Sequence, residues 1–368
     1  MMSNKFRTKF LQIFLFLTVS LGFAAKASED AEHTENKFDI STMIFHHIGD
    51  AHEWHFATIG HTDLSINLPV ILYSADRGLE MFSFSNLKTP HGSHDMVQYA
   101  GYTTDHHGKI VSTDPNREMF GFMPSAHGHA NPGAVKVYNI SITKNIASLF
   151  LSVAILFLVF FSVASGYKKR KGAAPSGIQS FFEPIIVFIR DEIAVPNIGK
   201  KSEKFLPYLL TVFFFIWFNN LLGLVPGGAN LTGNIAVTFS LAVFTLIITN
   251  FSANKDYWMH ILWTPGIPMW LRPIMLPVEL VGILSKPFSL MVRLFANITA
   301  GHVIILSLLG LTFIFESVVV GFASTLFSTV MSLLELFVAI LQAYVFTLLS
   351  AMYFGQAVAE HEHHDDHH

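Results

Sequence analysis

Glu279, Lys286 and Arg293 recur at steps of seven in a stretch otherwise too apolar for a soluble helix. At about 100° per residue, that spacing gathers the three within about 40° of one another, so a charged stripe runs through apolar sequence. A cation at the centre of a membrane helix costs about 2.5–3.5 kcal/mol and is kept where it has a partner or a task. The same stretch continues to Asn297 and His302, and a last apolar stretch adds Glu335 and Gln342. An arginine, an imidazole and a carboxylate at membrane depth supply a fixed charge and groups that take up and release protons. That is the chemistry of a proton path. Plainer roles compete for each residue: Lys286 reaching water along its stem, Arg293 in an ion pair with Glu335, His302 packed as a satisfied histidine.

Spacing separates the roles. Arg293 and His302 are nine residues apart, about 13.5 Å along a helix and about 180° around it, so a straight helix cannot put both in one site. Glu335 and Gln342, seven apart, share a face. Two antiparallel helices would set His302 beside Glu335 at one level and Arg293 near Gln342 at another.

The elements that must position these groups are membrane helices. Of 368 residues, 51% are hydrophobic, 36 are Phe and only 13% are charged, which fits a polytopic membrane protein. The expected fold is all-α, with about five membrane helices and an N-terminal extracytoplasmic domain. Spans are expected near 146–166, 205–225, 234–251, 274–315 and 318–354, with an amphipathic interfacial segment at 178–193. A turn at Pro226-Gly227-Gly228 separates the second and third spans. The last two run well past the ~20 residues that cross a bilayer, so they must tilt, bend or project from it.

Residues 1–27 have a basic start, an apolar core and Ala25-Lys26-Ala27, the parts of a cleaved signal peptide; an uncleaved first helix is the alternative. Residues 28–143 form a polar, His-rich domain, read as small and weakly β or partly disordered. Strands are expected at 70–73 and 81–84, and turns at Thr89-Pro90-His91-Gly92 and Asp114-Pro115-Asn116. Lys168-Lys169-Arg170-Lys171 after the first span places that side in the cytoplasm and the polar domain outside. Trp258, Trp263 and Trp270 suit an interfacial belt in the loop between Lys255 and Arg272. The membrane domain is taken as 144–356 and the His/acidic tail, 357–368, as a solvated cytoplasmic end. With no cysteine, thiolate metal sites, disulfides and Cys nucleophiles are excluded. No GxxxxGK[ST] nucleotide motif, metal site, cofactor site or nucleic-acid-binding patch is expected.

From about Asn145 to Phe354 the chain resembles subunit a of the F-type ATP synthase, through SKPFSLMVRLFANITAGH (285–302), ELFVAILQAYVF (335–346) and FNNLLGLVPG (218–227). The resemblance implies a non-catalytic stator subunit of the bacterial inner membrane. It would form two proton half-channels against a rotating c-subunit ring, with b-type stalk subunits and the rest of the synthase as partners. It implies that Arg293 is the arginine facing the ring, that Asn297 and Gln342 are neighbouring polar positions, and that Glu279 is a further channel position. Many bacterial members carry Glu at the position of His302 and His at that of Glu335. Here the two are exchanged, as in mitochondrial relatives, which keeps the pair's chemistry. The resemblance assigns no role to the His-rich domain.

The rival class is a metal-ion permease. Twelve of the 19 histidines fall in residues 28–143, including His46-His47, His52, His55, His106-His107 and His127-Gly128-His129, and imidazole clusters bind zinc or copper. Against it, the membrane part lacks a His/Asp/Glu cluster at ligand spacing.

Overall fold

The computed structural model describes residues 49–59, 62–87, 97–105, 108–120, 134–169, 172, 174–225, 228–262 and 272–359. The segment expected to be a signal peptide, the expected turn at 89–92, most of the His-rich clusters, Pro226-Gly227, Trp263, Trp270 and the tail from 360 lie outside the described residues. The chain divides into two compact units, residues 1–148 with 225–229, and residues 149–224 with 230–368.

The first unit is β-rich. A hairpin of β1 (Glu53–Ile59) and β2 (Thr62–Asn67) precedes a four-stranded sheet in the order β4-β3-β8-β7. Its strands are β3 (Pro69–Ser74), β4 (Gly78–Ser83), β7 (Arg117–Phe120) and β8 (Val135–Asn139), with β7 and β8 parallel and the other pairs antiparallel. The expected strand at 70–73 is β3. The one at 81–84 is the end of β4, with Phe84 opening a 3-10 turn. Strict alternation along β3 sends Val70, Leu72 and Ser74 inward. The two apolar side chains meet Phe84, Leu87 and Val137, together with Tyr102 and Ile110 from the hairpin of β5 (Tyr102–Thr104) and β6 (Ile110–Ser112).

Arg117 points into this core, where its two terminal nitrogens find partners and its buried Nε has none. Its guanidinium donates to Asp76 at 2.8 Å, Ser74 at 3.0 Å and the Tyr102 hydroxyl at 3.1 Å, and that hydroxyl donates to Glu80 at 2.5 Å. The hydrogen bond from Arg117 holds the Asp76 carboxyl at about 2, while burial and the Glu80 carboxylate push the Tyr102 hydroxyl up to about 12.

The unit ends at α1 (Lys144–Lys169), the first helix of membrane-spanning length among the described residues. The amide of Asn145 donates to Asp50 Oδ1 at 3.2 Å and that of Lys144 to the Ala51 carbonyl at 2.8 Å, so two orphan donors of the first turn are capped from far back in sequence. Next in line, His52 is buried and stacks on Phe84 at 5.5 Å, with neither ring nitrogen hydrogen-bonded. Burial lowers its pKa, and Asp50 offsets part of that.

The second unit is helical. After α1 come α2 (Ile178–Phe188), a π-helical turn (Ile189–Ala194), α3 (Val195–Ile198), α4 (Ser202–Leu224), α5 (Ile235–Ser252), α6 (Lys255–Leu262), α7 (Arg272–Phe315) and α8 (Val318–Val358). Five helical stretches among the described residues are long and apolar enough to cross a membrane: 144–169, 178–224, 235–252, 274–315 and 318–358. This is a multi-pass membrane protein. The second stretch is broken at Gly199, whose φ of 71° only glycine adopts readily. Beyond that break the chain doubles back: Phe182 lies 5.6 Å from Phe214 and 6.2 Å from Phe218, so α2 packs antiparallel to α4. The segment read as interfacial from sequence thus buries Phe182, Ile189 and Ile193 in the helical core and leaves Arg190, Asp191 and Glu192 outside.

Candidate functional site

The site is built where α7 and α8 meet. Both are long enough to overlap along most of their length, and their joining residues Glu316 and Ser317 turn them antiparallel; Glu316 has a φ of 44°. Near the turn, His302 Nδ1 of α7 stands 3.5 Å from Glu335 Oε1 of α8. At the far end, Lys286 Nζ donates to Gln356 Oε1 at 2.9 Å and lies 5.2 Å from the ring centre of Tyr353. These two ties set the register.

Glu335 is only 5% exposed, and neither carboxylate oxygen has a hydrogen-bond donor. Its space comes from Gly301: a Cβ there would lie 2.8 Å from Oε1 and 3.0 Å from Cδ of Glu335. A carboxyl buried among apolar atoms, with an imidazole as polar neighbour, is placed to exchange a proton with that imidazole.

Arg293 is placed differently. It sits on the exposed face of α7 with Ser289, Ala296, Asn297 and Ala300, at helical spacing, while Leu290, Leu294 and Ile298 are buried on the other side. Within the described residues it makes no hydrogen bond or ion pair, though Tyr353 of α8 feels its charge. The ion pair of Arg293 with Glu335 is not formed. Gln342 is buried on α8 and not bonded to Arg293. The register explains this. Interpolating between the two ties puts Arg293 level with about Thr347, more than a turn, or roughly 7 Å, from Gln342. Glu279 is half-buried and acts electrostatically on Lys286 and on Tyr257 of α6; burial first, then this carboxylate, pushes the Tyr257 hydroxyl up.

Two further groups escape a reading of charged residues alone. Asn220 of α4 donates to the Ala339 carbonyl of α8 at 3.2 Å and accepts from the Thr232 hydroxyl at 2.6 Å, all three buried. The motif FNNLLG was the available signal: paired amides in an apolar helix seldom lack partners. Asn254 closes the end of α8, its backbone and side-chain amides donating to the Ala357 and Val358 carbonyls, each at 2.9 Å. Gly355 beside it approaches the Asn197 carbonyl so closely that no side chain would fit. Among the described residues no cluster of three or more His, Asp or Glu could hold a metal ion.

Residues 146–355, more than half the chain and including Glu279, Arg293, His302, Glu335 and Gln342, match the family model described as ATP synthase A chain. The chain belongs to that family. It is a non-catalytic membrane-sector subunit and sits within the synthase complex. Curated relatives agree. "ATP synthase subunit a 2" of Chlorobaculum tepidum is 48% identical over 260 residues, covering 68% of this chain and 73% of the relative. "ATP synthase subunit a" of Chloroherpeton thalassium is 45% identical over 255 residues, covering 68% and 76%. "ATP synthase subunit a" of Chlorobium phaeobacteroides strain DSM 266 is 42% identical over 290 residues, covering 76% and 82%. Residues 43–131 match a separate family described as Domain of unknown function (DUF8433).

Proposed function

We propose that the subunit carries protons between two aqueous half-channels and a ring of c subunits, with Arg293 as the gate. Arg293 faces outward from the helical unit and bonds to none of the described residues, where a carboxylate on a passing subunit could meet it. This placement is the observation that carries the reading. A guanidinium, with a pKa above ~12, keeps its charge in a dry site where lysine would lose a proton. It favours the ring carboxylate in its ionised form and blocks direct passage between the half-channels. The separation matters because the membrane potential drives each charge with about 2.3 kcal/mol per 100 mV.

In this reading His302 and Glu335 hand protons on along one half-channel, with Asn297 and Gln342 lining the route and Glu279 on the other. The ring and a b-type stalk are the immediate partners. Residues 1–27 are a signal peptide, 28–143 lie in the periplasm, 144–356 form the inner-membrane domain, and 357–368 end in the cytoplasm. Lys168 and Lys169 at the end of α1 support that orientation.

The test is proton-driven ATP synthesis by assembled complexes in vesicles. Arg293→Ala should abolish it at normal complex levels, and Arg293→Lys should lose most of it. Wild-type synthesis by assembled Arg293→Ala complexes would sink the proposal.

A further inference from the structure

The outer sheet has one face covered and one bare. On the covered side lie Val70, Leu72, Ser74, Val137 and Arg117. On the other, the register lines up Leu79, Tyr73, Tyr138 and Phe120 in a row across all four strands. All four are 45–61% exposed. A second row follows: Met81 pairs with Ile71, whose carbonyl accepts from the Ile140 amide at 2.9 Å, and Met81 and Ile140 are 62% and 60% exposed. Two adjoining apolar rows form a patch that would promote association if left in water. Nothing among the described residues covers it.

The chain itself indicates what does. Ile140 stands four residues before Lys144, the first residue of membrane helix α1, and Ile146 of that helix is also exposed. Four extended residues span at most ~14 Å, so the edge of the patch is tied close to the lipid boundary. Its chemistry suits that level: tyrosines and a phenylalanine with one charged pair, Glu118 and Lys136, in register beside them. Lys136 Nζ lies 5.1 Å from the ring centre of Phe120, apolar stem alongside and charge at the rim. Aromatic rings and lysine stems are the side chains that settle at membrane–water interfaces.

We infer that the β4-β3-β8-β7 face rests on the lipid surface at the α1 entry, its aromatic row immersed at headgroup depth. Glu118 and Lys136 nearly cancel, so the contact is apolar rather than electrostatic and does not require anionic lipid. The inference rests on the membrane-spanning character of α1 and is independent of the proton path.

The chain has no cysteine, so single labels can be placed cleanly. In intact complexes lacking other reactive cysteines, reconstituted in phosphatidylcholine nanodiscs, a polarity-sensitive fluorophore is attached at Leu79→Cys, Met81→Cys or Tyr138→Cys. The exposed Thr113, beyond the β5–β6 hairpin, serves as the Thr113→Cys reference. The face labels should show blue-shifted emission, strong quenching by lipids doxyl-labelled near the headgroup and weak quenching by iodide, and adding anionic lipid should change little. The Thr113 label should show the reverse. Iodide quenching of the face labels equal to that at Thr113 would show the face to be in water and overturn the inference. A blue shift without doxyl quenching would show that protein covers it, with the same consequence. Labels at three exposed positions guard against one disturbing the fold.

Discussion

Gly301 and Glu335 face each other across α7 and α8 with room for hydrogen but not for a methyl group: a Cβ on Gly301 would fall 2.8 Å from the Glu335 carboxylate. Glycine inside a helix costs about 1 kcal/mol relative to alanine. The position therefore gives up helix stability to seat a carboxyl next to His302.

Gly301→Ala should assemble, since the helix gains propensity while the crowding costs about 1–3 kcal/mol. Turning the carboxyl away from the imidazole should cut proton pumping by about tenfold, the rate equivalent of ~1.4 kcal/mol. Pumping in vesicles at matched complex levels checks this; an unchanged rate would mean that the close fit is incidental.

Replacing His302 leaves Glu335 buried without its counterpart, a change that commonly costs ~3–5 kcal/mol, and replacing Glu335 leaves the half-buried His302 without the carboxyl. The exchange His302→Glu with Glu335→His restores one acid and one imidazole at the same level and should pump better than either single variant. Measured across pH 6–9, additive losses would refute the pairing.

Asn220→Ala removes two buried contacts, to Ala339 and Thr232. Interhelical hydrogen bonds in membranes average only about 0.6 kcal/mol, so the loss should be about 1 kcal/mol rather than a collapse. Thr232→Val should cost a similar amount, and the double variant less than the sum. Thermal unfolding in detergent measures all three.

The β-rich domain should weaken on acidification in two stages. His52 has a lowered pKa when folded, so the unfolded chain binds the extra proton first; stability is full above about 6.5 and declines as pH falls below it. Asp76 is depressed from 3.8 to about 2, so its contribution is present above 3.8 and disappears as pH falls through about 2. Asp50 opposes the first effect and Arg117 causes the second. After correction for the intrinsic rate, which itself slows on acidification, protection of the Val70 and Leu72 amides from hydrogen exchange should fall below neutrality in the wild type and less in His52→Leu. Equal loss of protection in both would rule out His52.

Charged residues in apolar sequence announce themselves, so the groups at 279, 293, 302, 335 and 342 and the antiparallel order of their helices are legible from residue types and intervals. Bonding between them is less so. Whether Arg293 meets Gln342 depends on register to within one turn, which is set by the distant tie of Lys286 to Gln356. Gly301 and Asn220 acquire their meaning only from partners on α8. In the β-rich domain the short strands at β3 and β4 show through their alternation. The joining of β3 to β8 does not, because such pairing is decided by packing across many intervening residues.

The place of β8 bears on how the molecule is made. It lies inside its sheet, bonded to β3 on one side and β7 on the other, yet it is the last strand before α1. During synthesis the earlier strands must wait, their edges open, until residues 135–139 emerge, just ahead of α1. Closing the sheet and threading α1 into lipid are therefore neighbouring events in time. A cut near residue 130 would remove β3, β4 and β7 together and strand β8 on the membrane domain with both edges bare, so the β-rich domain is not severable at that point.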